Sequence, residues 1–292
     1  MLKRFRLEEP ESVKDASGLL GRYGESARVY AGGTELLLAM KEGLIHYERL
    51  INIKKIQNLD QVKLDDGVIH IGALATHRKL VGSALLQEHL PAFVQMEQNV
   101  ANIRVREVGT LGGNLSFAEP HADPGTMMLV LGAKLIAEKA SSKREIPVEK
   151  FFVDAYETCL EEDEILTDIK VPLPLRSSVA YLKFGYLERP SVGVALLLAL
   201  DGGGKSIADA RIAVGCAGPM PKRVEEAEIL LKGRGFKEAS QAVEKAGEIA
   251  GRASDAISDL HGSKDYKEHI VQVLLKRAFH QAFGQGQSGG KG

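Results

Sequence analysis

The 292-residue sequence has almost no net charge: 38 Lys and Arg stand against 39 Asp and Glu, a formal −1. A chain built to grip nucleic acid needs a basic excess, so a nucleic-acid partner is not expected. Long apolar runs are missing too. The longest clean one, Val192 to Leu200, is far too short to span a bilayer and ends in Asp201-Gly202-Gly203-Gly204, as a buried strand does. The opening residues, MLKRFRLEEPESV, contain no apolar core of a secretory signal. A soluble, cytoplasmic chain without a transmembrane segment is expected.

Cysteine is scarce. Cys159 and Cys216 are the only two, too few to ligate an iron–sulfur cluster. In a reducing cytosol they are expected to be small buried hydrophobes, not a disulfide. The eight histidines show no metal spacing. His121-Ala122-Asp123 offers two ligands beside each other, which makes no closed site. No G-x-G-x-x-G, P-loop, G-x-S-x-G or Ser-His-Asp pattern occurs. No internal repeat is convincing.

What the chain does have is one dense stretch, Ile103 to Leu131. A polar turn, Thr110-Leu111-Gly112-Gly113-Asn114, precedes Ala118-Glu119-Pro120, then Asp123-Pro124 and an apolar segment through Met127, Met128, Leu129 and Leu131. Paired glycines let backbone N–H groups approach a ligand, and a run of such groups binds anions. Asn114 adds an amide with donors and an acceptor. Asp123 stands before a proline that suits a first helical turn, so it is placed either to cap that helix or to bind a ribose hydroxyl. A second glycine turn comes earlier. Val29-Tyr30-Ala31-Gly32-Gly33-Thr34-Glu35-Leu36 reads as a strand, a double-Gly turn and a helix start, a phosphate-binding arrangement. Two such turns are suited to clasp the two phosphates of a dinucleotide.

The segments AGGTELLLAMK (Ala31 to Lys41), Ile103-Arg104 and GTLGGNLSFAEPHAD (Gly109 to Asp123), with Ile71 to Thr76 between them, resemble one family. It is the FAD-binding (medium) subunit of the molybdenum hydroxylases, the xanthine dehydrogenase and carbon monoxide dehydrogenase group. The resemblance covers about residues 1 to 284. It implies an α+β fold: a two-subdomain FAD-binding domain of the PCMH type, then a small α+β C-terminal domain with a three-stranded sheet and helices. The domains would be residues 1–175 (subdomains about 1–55 and 56–175) and 176–284, with a disordered, Gly-rich tail at 285–292.

FAD is the cofactor implied, and the protein's task is binding, orientation and electrostatics rather than acid–base catalysis. The resemblance places FAD against Val29, Tyr30, Ala31, Gly32, Gly33, Thr34, Glu35 and Leu36 in the first turn. In the second it uses Thr110, Leu111, Gly112, Gly113 and Asn114. Ala101 is a further neighbour, Asp123 binds the sugar region, and Leu166 packs on the ring. Lys183 lies near the flavin and Val192 over the ring near N5. Arg104 is expected as an ion pair or a phosphate neighbour. The family's basic pair after the lysine is replaced by Leu187-Glu188-Arg189. The implied function is electron transfer from iron–sulfur clusters through FAD to NAD, a quinone or oxygen. The partners implied are a large molybdenum-cofactor subunit and a small 2Fe-2S subunit. The alternative is a stand-alone flavoprotein oxidoreductase like vanillyl-alcohol oxidase.

Periodicity predicts helices at 12–23, 34–42, 76–86 and 91–101, and near 222–232, 236–252 and 265–284. Strands are predicted at Ala27–Tyr30, Arg49–Ile53, Val68–Ile71, Ala133–Glu138, Lys143–Pro147 and Asp163–Val171. Three more follow at Val179–Tyr186, Val192–Leu200 and Ala208–Val214.

Overall fold

Parallel strands begin the molecule. The structure, a computed structural model, describes residues 2–185 and 189–289. β1 (Arg6–Glu8) and β2 (Ala27–Tyr30) both pair parallel with the central β3 (Arg49–Asn52). Parallel pairing needs crossovers, supplied by α1 (Val13–Tyr23) and α2 (Leu36–Glu42). Ser12 caps α1 by accepting from the Asp15 N–H, and Gly43 ends α2 in the left-handed conformation. Ala16 and Leu20, one turn apart on α1, share a core with Ile51, Leu74 and Ile165. The last two belong to the next unit, so the first sheet is seated on it.

That unit runs through β4 (Val62–Asp65), β5 (Val68–Gly72), α3 (His77–Val81), α4 (Ala84–His89), α5 (Pro91–Gln98), α6 (Ile103–Val108), α7 (Leu111–Phe117) and α8 (Asp123–Leu131). β6 (Lys134–Lys139), β7 (Ser142–Pro147), β8 (Phe152–Asp154), β9 (Glu157–Thr158) and β10 (Ile165–Pro172) complete it. Five of these strands form one antiparallel sheet, in the order β4-β5-β10-β6-β7. The helix predicted at 76–86 is two helices. It breaks at Gly82, and Ser83 restarts it by accepting from the Leu86 N–H. Every residue of α8 is buried, because other elements surround it on all sides.

The predicted polar turn at 110–114 is the first turn of α7. Thr110 caps it, and Leu111 and Leu115 are fully buried. Tertiary anchoring overrides the poor helix propensity of two glycines.

The third unit has a four-stranded antiparallel sheet: β11 (Ser177–Phe184), β12 (Val192–Leu200), β13 (Ile207–Gly215) and the short edge strand β14 (Lys222–Arg223). Three strands were expected. The fourth occupies the predicted start of a helix at 222. The buried Glu228 accepts from both the Ile212 N–H and the Arg223 guanidinium, which holds that segment against β13. α9 (Glu225–Ile229), α10 (Phe236–Ala253) and α11 (Lys264–Gly289) follow. α11 continues past Gly284 into the segment predicted to be disordered, since adding residues to a docked helix costs little. Residues 290–292 lie outside the described residues, as do Tyr186, Leu187 and Glu188.

β12 is buried on both faces. Ala195 and Leu197 enter the core of the second unit, while Val192, Val194, Leu196 and Leu198 enter the core under α10 and α11. The uninterrupted apolar run follows from that. Among the described residues, no helix is long and apolar enough to cross a membrane.

The candidate cofactor cleft

The two glycine turns, nearly eighty positions apart in the chain, touch. A Cβ added at Gly32 would meet the Val108 carbonyl oxygen and lie 2.8 Å from the Gly109 Cα. Only glycine allows that approach. Gly33 has φ +72°, and a side chain there would strike the Tyr30 ring. In the second turn, a Cβ at Gly112 would lie 2.5 Å from the Ala73 Cβ and 2.7 Å from its carbonyl oxygen. These glycines serve the packing of protein on protein.

The turns differ in what they offer a ligand. In the second, the N–H groups are already used: Leu111 donates to Ala75 (3.0 Å), Gly112 to Ala73 (2.9 Å), Gly113 to the Thr110 hydroxyl (3.1 Å) and Asn114 to the Thr110 carbonyl (2.9 Å). The expected anion nest of free N–H groups is therefore absent there. Its polar offering is the Asn114 side chain, whose Oδ1 is buried without a partner among the described residues. In the first turn, no acceptor among the described residues takes the N–H groups of Gly32, Gly33 or Thr34. These residues are half-buried and line the cleft, so their N–H groups are available to an anionic ligand.

Between the turns lies a cleft of about 350 Å³. The first turn lines it with Val29 and Ala31 to Leu36, and the second with Thr110, Gly112, Gly113 and Asn114. Ala101, held at φ +42°, Leu166 and Asp123 complete the wall. Such a long, partly apolar cleft with a few directed polar groups suits a dinucleotide.

Asp123 does not cap α8. The N-cap is Ala122, and no side chain bonds there. Its carboxylate is buried and accepts from the Tyr181 hydroxyl (2.6 Å) and the Lys183 ammonium (3.0 Å), both on β11. Lys183 also donates to the Asn99 carbonyl at the end of α5 (2.7 Å). Burial raises the Asp123 pKa; Lys183 and Tyr181 oppose that, and the net shift is upward. Burial, then the Asp123 charge, pushes the Tyr181 phenol well above its ordinary range.

At the mouth, Arg189 ties the first turn to Glu119, which lies beyond the second. It contacts Glu35 at 3.1 Å and Glu119 at 3.5 Å. Glu119 also takes His121 at 3.0 Å. Burial raises the Glu119 pKa, but His121 and Arg189 outweigh it and hold the carboxyl below its usual value.

Four predicted site residues do not line the cleft. One is Lys183, which stands behind Asp123 and reaches the cleft only through it. Val192 pairs with Phe184 and, by the alternation along β12, shares the face of Val194 and Leu196, away from the cleft. Leu111 is fully buried in the core beneath the second turn. Tyr30 does not line the cleft; it supports Gly33 from below, with the Lys54 ammonium 4.3 Å from its ring centre. Arg104 is exposed and forms no ion pair among the described residues, whereas Arg106 donates to the Val100 and Ala101 carbonyls. Nothing local marks Tyr181, a strand tyrosine, as a site residue; its bond to Asp123 follows from the tertiary placement of β11.

Residues 3–174 match the model of the FAD binding domain in molybdopterin dehydrogenase. The chain belongs to that family. Residues 188–282 match the C-terminal domain of the carbon monoxide dehydrogenase flavoprotein. The carbon monoxide dehydrogenase medium chain of Hydrogenophaga pseudoflava is 30% identical over 281 residues, 96% of this chain and 97% of that one. The nicotine 6-hydroxylase medium subunit of Paenarthrobacter nicotinovorans is 30% identical over 284 residues, 96% and 98% of the two chains. A solved structure of the Hydrogenophaga pseudoflava carbon monoxide dehydrogenase, lacking the Mo-pyranopterin moiety of its cofactor, matches with TM-score 0.93 and 31% identity. It covers 97% of this chain and 99% of its counterpart. The chain is thus a FAD-binding oxidoreductase subunit of the molybdenum hydroxylase family, and the stand-alone alternative is not favoured.

Proposed function

We propose that this chain is the electron-transfer subunit of a molybdenum-containing hydroxylase or dehydrogenase complex. It passes electrons from 2Fe-2S clusters on a small partner subunit, through FAD, to an external acceptor such as NAD, a quinone or oxygen. The molybdenum cofactor belongs to a large partner subunit. The complex works in the cytoplasm. FAD supplies the ability to take electrons singly and release them as a pair.

The observation that carries this reading is the cleft between two abutting glycine turns in a chain that spans nearly the full length of medium-subunit relatives. The chain's own residues divide the work. The open N–H groups of Gly32, Gly33 and Thr34 would hold the cofactor phosphates. Asn114 supplies its amide from the opposite wall. Ala101 and Leu166 exclude water with apolar surface, and Lys183, fixed by Asp123, places a positive charge on the C-terminal side. Residues 1–175 and 176–284 serve as the two domains.

Purifying the chain from its own host tests the proposal. The expected result is a complex that carries molybdenum, iron and FAD, in which substrate reduces the flavin. A chain that purifies alone with FAD and oxidises a small organic donor unaided would establish the stand-alone flavoenzyme instead.

A further inference from the structure

A buried acid on an apolar helix face is costly, and α5 carries one. Glu97 shares its turn with the buried Phe93, Val94 and Met96 and is itself fully buried. Its Oε2 pairs with His77 Nδ1 at 2.5 Å, and its Oε1 has no partner among the described residues. His77 opens α3 and is 2% exposed. Its backbone N–H donates to the Gly109 carbonyl (3.0 Å), and Thr76 and Thr110 form a β-bridge beside it. Thus the imidazole sits at the entry to the second glycine turn. A Cβ added at Gly109 would lie 3.2 Å from the ring Cδ2 and 3.6 Å from Nε2.

With Nδ1 committed to Glu97, Nε2 is the remaining polar atom of the ring, and no hydrogen bond occupies it among the described residues. His77 lines the cleft. The other basic groups there are engaged or turned outward. Arg189 is held by Glu35 and Glu119, His121 by Glu119 and Asp259, and Arg28 is exposed on β2. The second turn has spent its backbone N–H groups on the protein. A side chain oriented by a buried carboxylate, with one nitrogen left over beside that turn, has the arrangement of a ligand-binding histidine.

We propose that His77 is a further cofactor-binding residue, which presents Nε2 to the flavin dinucleotide on the second-turn side of the cleft, and that Glu97 is its positioning residue. The dyad gives the second turn the directed polar contact that its backbone cannot. This rests on the cleft being the FAD site.

The test compares FAD affinity and apo-protein thermal midpoint in paired variants of the full chain. Removing one partner alone would strand the other as a buried polar group, whereas removing both is often neutral for stability. His77→Phe with Glu97→Leu therefore removes the polar pair together. His77→Gln with Glu97→Leu restores a polar atom near the Nε2 position, as the longer amide reaches further than asparagine would. The expected result is a midpoint near wild type in both, with FAD affinity about tenfold or more weaker in the Phe variant and largely recovered in the Gln variant. Wild-type affinity in the Phe variant would overturn the proposal, as would equal weakening in both variants. A wild-type chain that binds no added FAD would instead overturn the reading of the cleft.

Discussion

The two glycine turns look alike in sequence and do different work. The first, at Ala31 to Glu35, keeps the N–H groups of Gly32, Gly33 and Thr34 unclaimed by any described residue. The second, at Thr110 to Asn114, is the start of α7, and its N–H groups are bonded to Ala73, Ala75 and Thr110. A double glycine thus marks close backbone approach in both places, but only in one is the approach left for a ligand. The second turn contributes through side chains, and the Val108-Gly109 segment that leads into it is the surface on which Gly32 rests.

The comparison breaks most completely at the point of contact. Gly32→Val would drive a side chain into the Val108 carbonyl and part the turns. Overpacking typically costs about 1–3 kcal/mol, and rigid backbone puts this site at the upper end, so this variant is expected to lose FAD and to melt several degrees lower by calorimetry. Asn114→Leu sharpens the comparison. It removes an unpartnered buried oxygen from the second turn without touching the contact. FAD affinity should fall by about tenfold, measured by titrating apo-protein, while the melting temperature stays within a few degrees. A large loss of stability in Asn114→Leu would mean that the second turn is structural only.

A smaller effect concerns Asp123 at the edge of the second wall. Burial raises its pKa, so the native state holds the proton more tightly than the unfolded chain. Its contribution to stability is then complete below the ordinary carboxylate pKa and is lost as pH rises through the raised value. The stability difference between wild type and Asp123→Asn should fall across that window by no more than about 1.4 kcal/mol per pH unit. Calorimetry at successive pH values checks the sign. The smallest effect is expected at the mouth. Arg189 ties Glu35 of the first turn to Glu119 beyond the second, but it is exposed. Arg189→Ala should speed FAD release a few-fold in stopped-flow exchange, and added salt should shrink the difference.

Local signals made much of this legible. The capping serine at 12, the terminating Gly43 and the apolar run of β12 follow from neighbours in the chain. So did both glycine turns and Asn114. Asp123 was marked by its place before Pro124, though its partners were not. What stayed hidden depends on which segments meet. Val192 faces away from the cleft because of the register of β12 against β11, and a one-residue change of face is invisible in a run of hydrophobic residues. The helical start of α7 needed the core positions of Leu111 and Leu115. Glu97 did leave a trace, an acid among Phe93, Val94 and Met96, but its partner His77 is twenty positions away.

The most direct test of the account is the flavin content of the purified chain, read from its visible spectrum and from FAD released by acid. Two abutting turns enclosing a dinucleotide cleft predict about one FAD per chain, retained by wild type and lost in Gly32→Val. A colourless wild-type protein that takes up no added FAD would contradict it.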